Sequence, residues 1–394
     1  MRIRSRPFRA LLPSLVILNA VVVTAPTVPV HAVASDQSVA YQVNVAHSGE
    51  QADSTLVPPL NEKWRRTFAD SVSYPLIVDG RIFVTVANPD SYGTMLFALD
   101  AADGRELWSR SISGTYFWSN AAYDGGRVFV VNFDGVLSAF DAVTGALNWQ
   151  IQLPGQYAFS SPPTADSGVV YVGGAGSGGT VYAVDETNGA VLWTASVANG
   201  DNSSPALSAD SVYVSYACAQ VYSFARATGA LNWHHSTDCS GGGGRTPVLS
   251  RGRLYVRDFV TNPPGYVFDA GSGNVIRRYS ADPAPAFSGR YGFFLDNHRL
   301  SGRPASNPRV NWSFTGDGGL STAPLVANGY VYVGSSSGTL YALSLIGEEV
   351  WSTNLGASIL GPDEHNVSQP LTGMGAGGGL LVLPADNILV ALGQ

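Results

Sequence analysis

The stretches ALDAADGRELW (98–108), AFDAVTGALNW (139–149) and AVDETNGAVLW (183–193) align without a gap on Ala-x-Asp-x-x-x-Gly-x-x-x-Trp. Further copies are worn. A fourth has Ser223, Ala225, Gly229 and Trp233; a fifth keeps Asp269 and Gly273 but has Arg277 at the Trp position. The sixth retains little beyond Trp312, and the seventh, Ala342, Gly347 and Trp351, is one residue short. With Trp64 in front, the anchors fall at 64, 108, 149, 193, 233, 277, 312 and 351, spaced by 44, 41, 44, 40, 44, 35 and 39 residues. That period is the length of a four-stranded propeller blade, a unit that must stack on its neighbours to bury its faces.

Each unit reads as strands A to D. A short small-residue strand, often opened by Pro (Pro75, Pro162, Pro205, Pro247, Pro324, Pro370), runs into a tight turn such as Asp79-Gly80 or Asn328-Gly329, which signals a hairpin. An aromatic and β-branched strand follows, such as Val170-Tyr171-Val172 or Val331-Tyr332-Val333. A third strand then leads through the Asp-to-Gly turn to the Trp strand. Seven such sets run from Pro75 to Trp351. Beyond them, Pro370 to Leu392 supplies strands A, B and C but no D, whereas the chain enters the pattern with a lone D strand at Trp64. The phase predicts an eighth blade built from both chain ends, which removes two exposed sheet edges. Seven blades is the alternative, because the unit near 284–312 is short. The D–A and B–C loops share one face and vary in length and chemistry, so binding is expected there.

Composition agrees with an all-β chain. Among 394 residues, 45 Gly and 23 Pro punctuate nearly every ten-residue block, so long amphipathic helices are excluded. A hydrophobic fraction of 45% is enough for a large core and excludes global disorder. The net charge is -7, Lys63 is the one lysine, and Arg2, Arg4, Arg6 and Arg9 crowd the start. Without a basic cluster in the remainder, nucleic acid is not an expected partner. Those arginines, the apolar Ala10–Val23 and Ala32-Val33-Ala34 read as a signal peptide over 1–34, followed by an N-terminal extension over 35–59 and a propeller over 60–394. The expected product is secreted or periplasmic, monomeric, and without a transmembrane anchor after cleavage. In such a compartment Cys218 and Cys239, one in a B–C loop and one in the following D–A loop, are expected to form a disulfide.

The Ala/Asp/Gly/Trp motif resembles the pyrroloquinoline-quinone-type propeller repeat, and the resemblance covers about residues 60–394. It implies that Trp64, Trp108, Trp149, Trp193, Trp233, Trp312 and Trp351 dock between neighbouring blades. Physical reasoning agrees: a flat indole packs over a Gly, and its N–H needs a backbone acceptor. In size and repeat the chain also resembles the propeller scaffold of bacterial outer-membrane protein assembly, though it has no Cys near the cleavage site for that factor's lipid anchor. Alcohol dehydrogenases of the resembled family carry a vicinal Cys–Cys pair over the quinone, and a calcium held by Glu, Asn and a catalytic Asp. The two cysteines here are not adjacent, and the calcium ligands cannot be assigned residue by residue.

Trp118 falls outside the repeat register, so docking does not account for it. With Arg245, Asp317 and His365 it sits on loops entering blades 2, 5, 7 and 8, and the four are candidate ligand-binding residues of a funnel mouth. No catalytic residue is assigned, because no nucleophile elbow, P-loop or zinc-protease motif occurs. No metal site is expected either: Asp363, Glu364 and His365 have no second cluster, and the adjacent His234 and His235 point to opposite faces of a strand. The preferred function is a non-catalytic exported module binding a protein or cell-surface glycan, with no cofactor. The alternatives are a quinone dehydrogenase using pyrroloquinoline quinone with calcium, and a propeller hydrolase or lyase.

Overall fold

The computed structural model describes Met1 and residues 36–198, 203–216, 220–236, 244–257, 265–307 and 309–394. The segment read as a signal peptide lies outside these residues, and so do Cys218 and Cys239. Among the described residues there is no helix, and none therefore that is long and apolar enough to cross a membrane.

The strands form eight four-stranded antiparallel blades, so the seven-blade alternative is set aside. Blades 1 to 7 occupy 76–112, 119–152, 164–197, 206–235, 248–279, 286–314 and 325–354. Blade 8 takes strands A, B and C from Gly375–Gly377, Leu380–Ala385 and Ile388–Gly393, and its D strand from Asn61–Thr67 at the other end of the chain. The closing pair runs from Asn61 opposite Gly393 to Thr67 opposite Ile388. Turn chemistry sets the inner hairpins: Asp79-Gly80 and Asn328-Gly329 both hold positive φ at the two central residues, the geometry that matches strand twist.

Local sequence explains how each blade grips the next. In seven blades the register slips by one residue just before the anchor position, as between Leu147 and Trp149 or between Glu62 and Trp64. A bulge of this kind re-aims the side chain that follows it. The indoles lie over the next blade's motif glycine: a Cβ on Gly104, Gly145, Gly189, Gly229, Gly273 or Gly347 would come within 2.8 Å of Trp64, Trp108, Trp149, Trp193, Trp233 or Trp312, respectively. Each indole N–H donates to a carbonyl in that same turn, for example Trp64 to Ala101 at 2.9 Å and Trp149 to Glu186 at 2.8 Å. Arg277 takes the anchor position in blade 5 and donates to the Ala305 carbonyl at 2.6 Å. Trp351 packs in the apolar cluster with Leu355 and Ile388. It has no motif glycine to cover, because the C and D strands of blade 8 come from opposite chain ends and no turn joins them.

Candidate functional site

The centre of the ring is built by two segments that the repeat does not contain. One is the start of the described chain. Its backbone bonds to the innermost strand of blade after blade, always near the end that leads into the A–B turn. The Gly378 N–H donates to the Asp36 carbonyl, and Ser38 and Ile77 exchange both bonds. Tyr123, Leu207, Leu249, Phe287 and Val326 then donate to Val39, Val45, Ala46, Ser48 and Gly49. Glu50–Gln51 closes the circuit as a parallel strand on blade 7. Residues 36–51 thus form a strap around the axis on the A–B face, and they lie within the propeller rather than beside it. His47 is wholly buried and faces the carbonyls of Tyr41 at 2.7 Å and Pro205 at 3.0 Å. Burial holds its pKa below the ordinary value.

The second segment is the long D–A loop between blades 7 and 8. It leaves blade 7 at Ile359, whose carbonyl accepts from Ser321 Oγ at 2.5 Å. On blade 5, Glu364 Oε1 accepts from Arg257 Nη2 at 2.5 Å, and Oε2 accepts from the Thr246 N–H at 2.6 Å. His365 Nε2 meets the Gly244 carbonyl at 3.0 Å. Val367 packs on the Trp118 and Phe159 cluster of blades 2 and 3, and the Leu371 carbonyl accepts from Tyr74 of blade 1 at 2.8 Å. By these contacts the loop crosses the mouth of the ring on the D–A face and acts as a lid.

Both members of the Arg257–Glu364 pair are buried, with side-chain exposures of 2% and 5%. Burial raises the Glu364 carboxyl, but the Arg257 guanidinium and the Thr246 amide outweigh it and hold the group below the usual carboxylate range. Arg245 stands nearby. It donates to the Asp282 carbonyl at 2.7 Å, and burial together with the Arg257 charge lowers its pKa.

The four sequence candidates do not form one site. Arg245 and His365 both reach blade 5, where His365 of the lid bonds the carbonyl of Gly244, the residue before Arg245. Trp118 is buried to 1% exposure in the cluster against which Val367 packs, and so offers no open ring face to a ligand. Asp317 is committed elsewhere: its carboxylate accepts from Ser335 Oγ at 2.7 Å, from the Gly319 N–H at 3.0 Å, and from Ser337 Oγ. His234 bonds Gln220 at 2.8 Å, while His235 packs on Phe268 of the next blade. Arg257 and Tyr41 escaped the sequence reading. A signal existed for Arg257, since a charge inside the apolar strand Arg253–Arg257 needs a partner.

On the outer surface of the loop face, Tyr92, Tyr116 and Tyr157 are exposed. Tyr92 packs on Phe117 with ring centroids 5.1 Å apart, and Tyr116 packs on Phe133 at 4.3 Å. A cleft of about 260 Å³ lies at the seam of blades 8 and 1, lined by Asp70, Gln369, Asp386 and Asn387 among others.

An eight-bladed ring with docking tryptophans and a chain-filled axis defines a repeat propeller. The chain belongs to the family described as outer membrane protein assembly factor BamB, which it matches over 58–204, 177–290 and 266–393. It is 27% identical over 272 residues to the outer membrane protein assembly factor BamB of Moranella endobia, covering 64% of this chain and 63% of that protein. It is also 28% identical over 286 residues to the dehydrogenase subunit of the quinone alcohol dehydrogenase of Gluconacetobacter polyoxogenes, covering 65% of this chain but only 35% of that one. Among solved structures, BamB from Moraxella catarrhalis superposes with a TM-score of 0.65 at 16% identity, covering 85% of this chain and all of that one. Quinohemoprotein alcohol dehydrogenase from Comamonas testosteroni gives 0.73 at 14% identity, covering 91% and 80%. At these identities the structural likeness speaks to the fold alone.

One mark of the resembled quinone alcohol dehydrogenases, the vicinal Cys–Cys pair, has no counterpart in this sequence. Cys218 and Cys239 are not adjacent in sequence. Among the described residues no three His, Cys, Asp or Glu are grouped as metal ligands. The strap and the lid also occupy the two ends of the axis.

Proposed function

We propose that this protein is an extracytoplasmic, non-catalytic propeller whose loop face docks a protein of the cell envelope. The observation that carries this reading is the filled axis. A propeller that acts on a small molecule needs an open, concave site, whereas here the chain's own segments take both ends of the ring. Among the described residues of the variable face, blades 1 to 3 present an aromatic surface, with Tyr92, Tyr116 and Tyr157 outward. Aromatic residues of this kind anchor protein interfaces. The kinship with proteins named as outer membrane protein assembly factors supports a protein partner over a glycan.

The test is site-specific photo-crosslinking in intact cells, with the probe at Tyr92 or Tyr157 and a control probe at the rim residue Val191. A discrete adduct to one envelope protein from the loop face, absent from the rim, is the expected result. Adducts from the rim alone would move the interface elsewhere. The kinship with a quinone alcohol dehydrogenase supports a second reading, in which the chain is a redox enzyme. Purified protein incubated with pyrroloquinoline quinone and calcium separates the two: alcohol- or sugar-dependent dye reduction would favour the enzyme.

A further inference from the structure

We infer that the seam between blades 5 and 6 binds a phosphate group, held by Arg277 and Arg303 with Arg253 beside them, on the face that carries the A–B and C–D turns. That face is opposite the loop face, so the site does not depend on the docking surface proposed above. The seven other seams of the ring share one apolar contact. The anchor indole of one blade sits in a common cluster with a strand C residue of the next, the one that follows the cross-strand partner of that blade's own anchor. Trp64 meets Leu99 in this way, Trp149 meets Val184 and Trp233 meets Phe268. At the seam of blades 5 and 6 both positions are arginine. Arg277 stands in place of the indole, and Arg303 follows Gly302, the partner of Trp312. Two positions that are apolar at every other seam are thus both cations at this one.

The partners of these arginines are neutral. Arg253 Nη1, Arg277 Nη2 and Tyr255 Oη converge on the Ala305 carbonyl at 2.7, 2.6 and 3.1 Å, and both arginines also bond the Tyr255 phenol. At other seams the corresponding carbonyl is met by one indole N–H, as Ala101 is by Trp64 and Ala270 by Trp233. Arg303 lies over Phe294, its Cζ 3.8 Å from the ring centroid, and its buried Nε has no partner. Burial and then the charge of Arg277 lower its pKa, so the two guanidiniums repel. No ion pair among the described residues includes Arg253, Arg277 or Arg303. Arg226, at the same face between blades 3 and 4, has Asp166 at 2.7 Å. Asp269 lies opposite Arg253 in register, but its carboxylate accepts from the N–H and the hydroxyl of Ser272, both at 2.9 Å. Asp296 draws on Arg303 from beyond ion-pair distance. Three clustered cations without a carboxylate, in a chain of net charge -7, call for an anion from outside. A phosphate group, with a charge of about −2 and three oxygens that accept guanidinium N–H groups, matches them in charge and geometry. Free phosphate and the phosphorylated headgroup of a lipid present the same group to the seam.

Calorimetric titration of the parent protein with sodium phosphate at about pH 8, where the ion is mostly dianionic, tests the inference. Saturable binding is expected, and sodium chloride at equal ionic strength should not reproduce it. Arg303→Leu installs the residue that blades 1, 7 and 8 carry there as Leu99, Leu343 and Leu392, so the variant is expected to fold. Its phosphate affinity should fall by about tenfold or more. In phosphate-free buffer it should melt at or above the parent, because one of two facing like charges is gone. Should Arg303→Leu fail to fold, Arg253→Gln carries the same titration. Co-sedimentation with phosphatidic acid vesicles, against phosphatidylcholine vesicles, separates the sources. Retention of the parent but not of the variant assigns a headgroup, and phosphate binding without retention assigns the free ion. No phosphate-specific binding by the parent, or equal affinity in parent and variant, would overturn the site.

Discussion

Glu186 offers the sharpest test of the electrostatics in this fold. It follows the motif Asp185 in the C–D turn of blade 3, and only 2% of it is exposed. Its backbone carbonyl caps the Trp149 indole, which fixes the turn, while its Oε1 has no partner. Burial, then the charge of Asp124, then a hydrogen bond shared with Asp124 push its pKa up to about 9, against the smaller opposing pull of Arg127. The carboxyl is therefore protonated in the folded state at neutral pH but ionised in the unfolded chain. An acid raised in this way contributes stability that is fully present below its unfolded pKa, near 4.5, and lost as pH rises toward 9. One such proton gives a slope approaching about 1.4 kcal/mol per pH unit, which amounts to roughly 3 kcal/mol lost by pH 7. Glu186→Gln keeps the shape, donates an amide N–H to Asp124 and does not titrate. Urea melts of both proteins from pH 5 to 9 should show near-equal stability at pH 5. At pH 8 the variant should lead by roughly 1–3 kcal/mol, the upper figure being tempered by relaxation around the group. Parallel pH profiles for the two proteins would refute the reasoning.

Deleting 371–394 removes strands A, B and C of the blade that closes the ring and exposes the apolar face of Asn61–Thr67. Aggregation or loss of cooperative unfolding is expected, and an unchanged melt would refute the closure. Trp118→Ala should destabilise at least as much as Trp149→Ala, by roughly 3–5 kcal/mol in chemical denaturation, because Trp118 is the more deeply buried of the two. Gly49→Ala should cost at least about 1 kcal/mol in the same assay: φ is +65° there, and a Cβ would stand 2.8 Å from that of Ala286. Non-reducing peptide mapping of protein produced in an oxidising compartment should recover a Cys218–Cys239 link, and two alkylatable thiols would count against it.

The fold was legible where one residue type does one physical job. An indole over a backbone carbonyl and a bare Cα leaves Trp and Gly at fixed spacing, so the period and the split last blade could be read directly. Blade 6 was harder for a reason the register supplies. Its D strand, Trp312–Phe314, pairs without the bulge found in the other seven blades, so the residues before Trp312 were free to lose the motif. The strap was not legible at all. It bonds through its carbonyls to strand A amides, and a carbonyl carries no side-chain signature. Trp118 misled because a residue out of register was taken for a residue out of the core. The lid was half legible: Glu364 stood out as polar, but its partner Arg257 is 107 residues away, and only the ring brings them together.

The filled axis follows from the same backbone arithmetic. Strand A is the inner edge of every blade, and each edge carries amides that must find an acceptor. In an open propeller, water or a bound molecule meets them. Here the carbonyls from Asp36 to Gly49 meet one amide on each of seven blades, and His47 reaches the Thr164 hydroxyl of blade 3 at 3.4 Å. A segment so placed ties all eight blades to one another and leaves little inner edge for a guest to bond. Recognition is then pushed outward to the loop face, where Tyr92, Tyr116 and Tyr157 stand open.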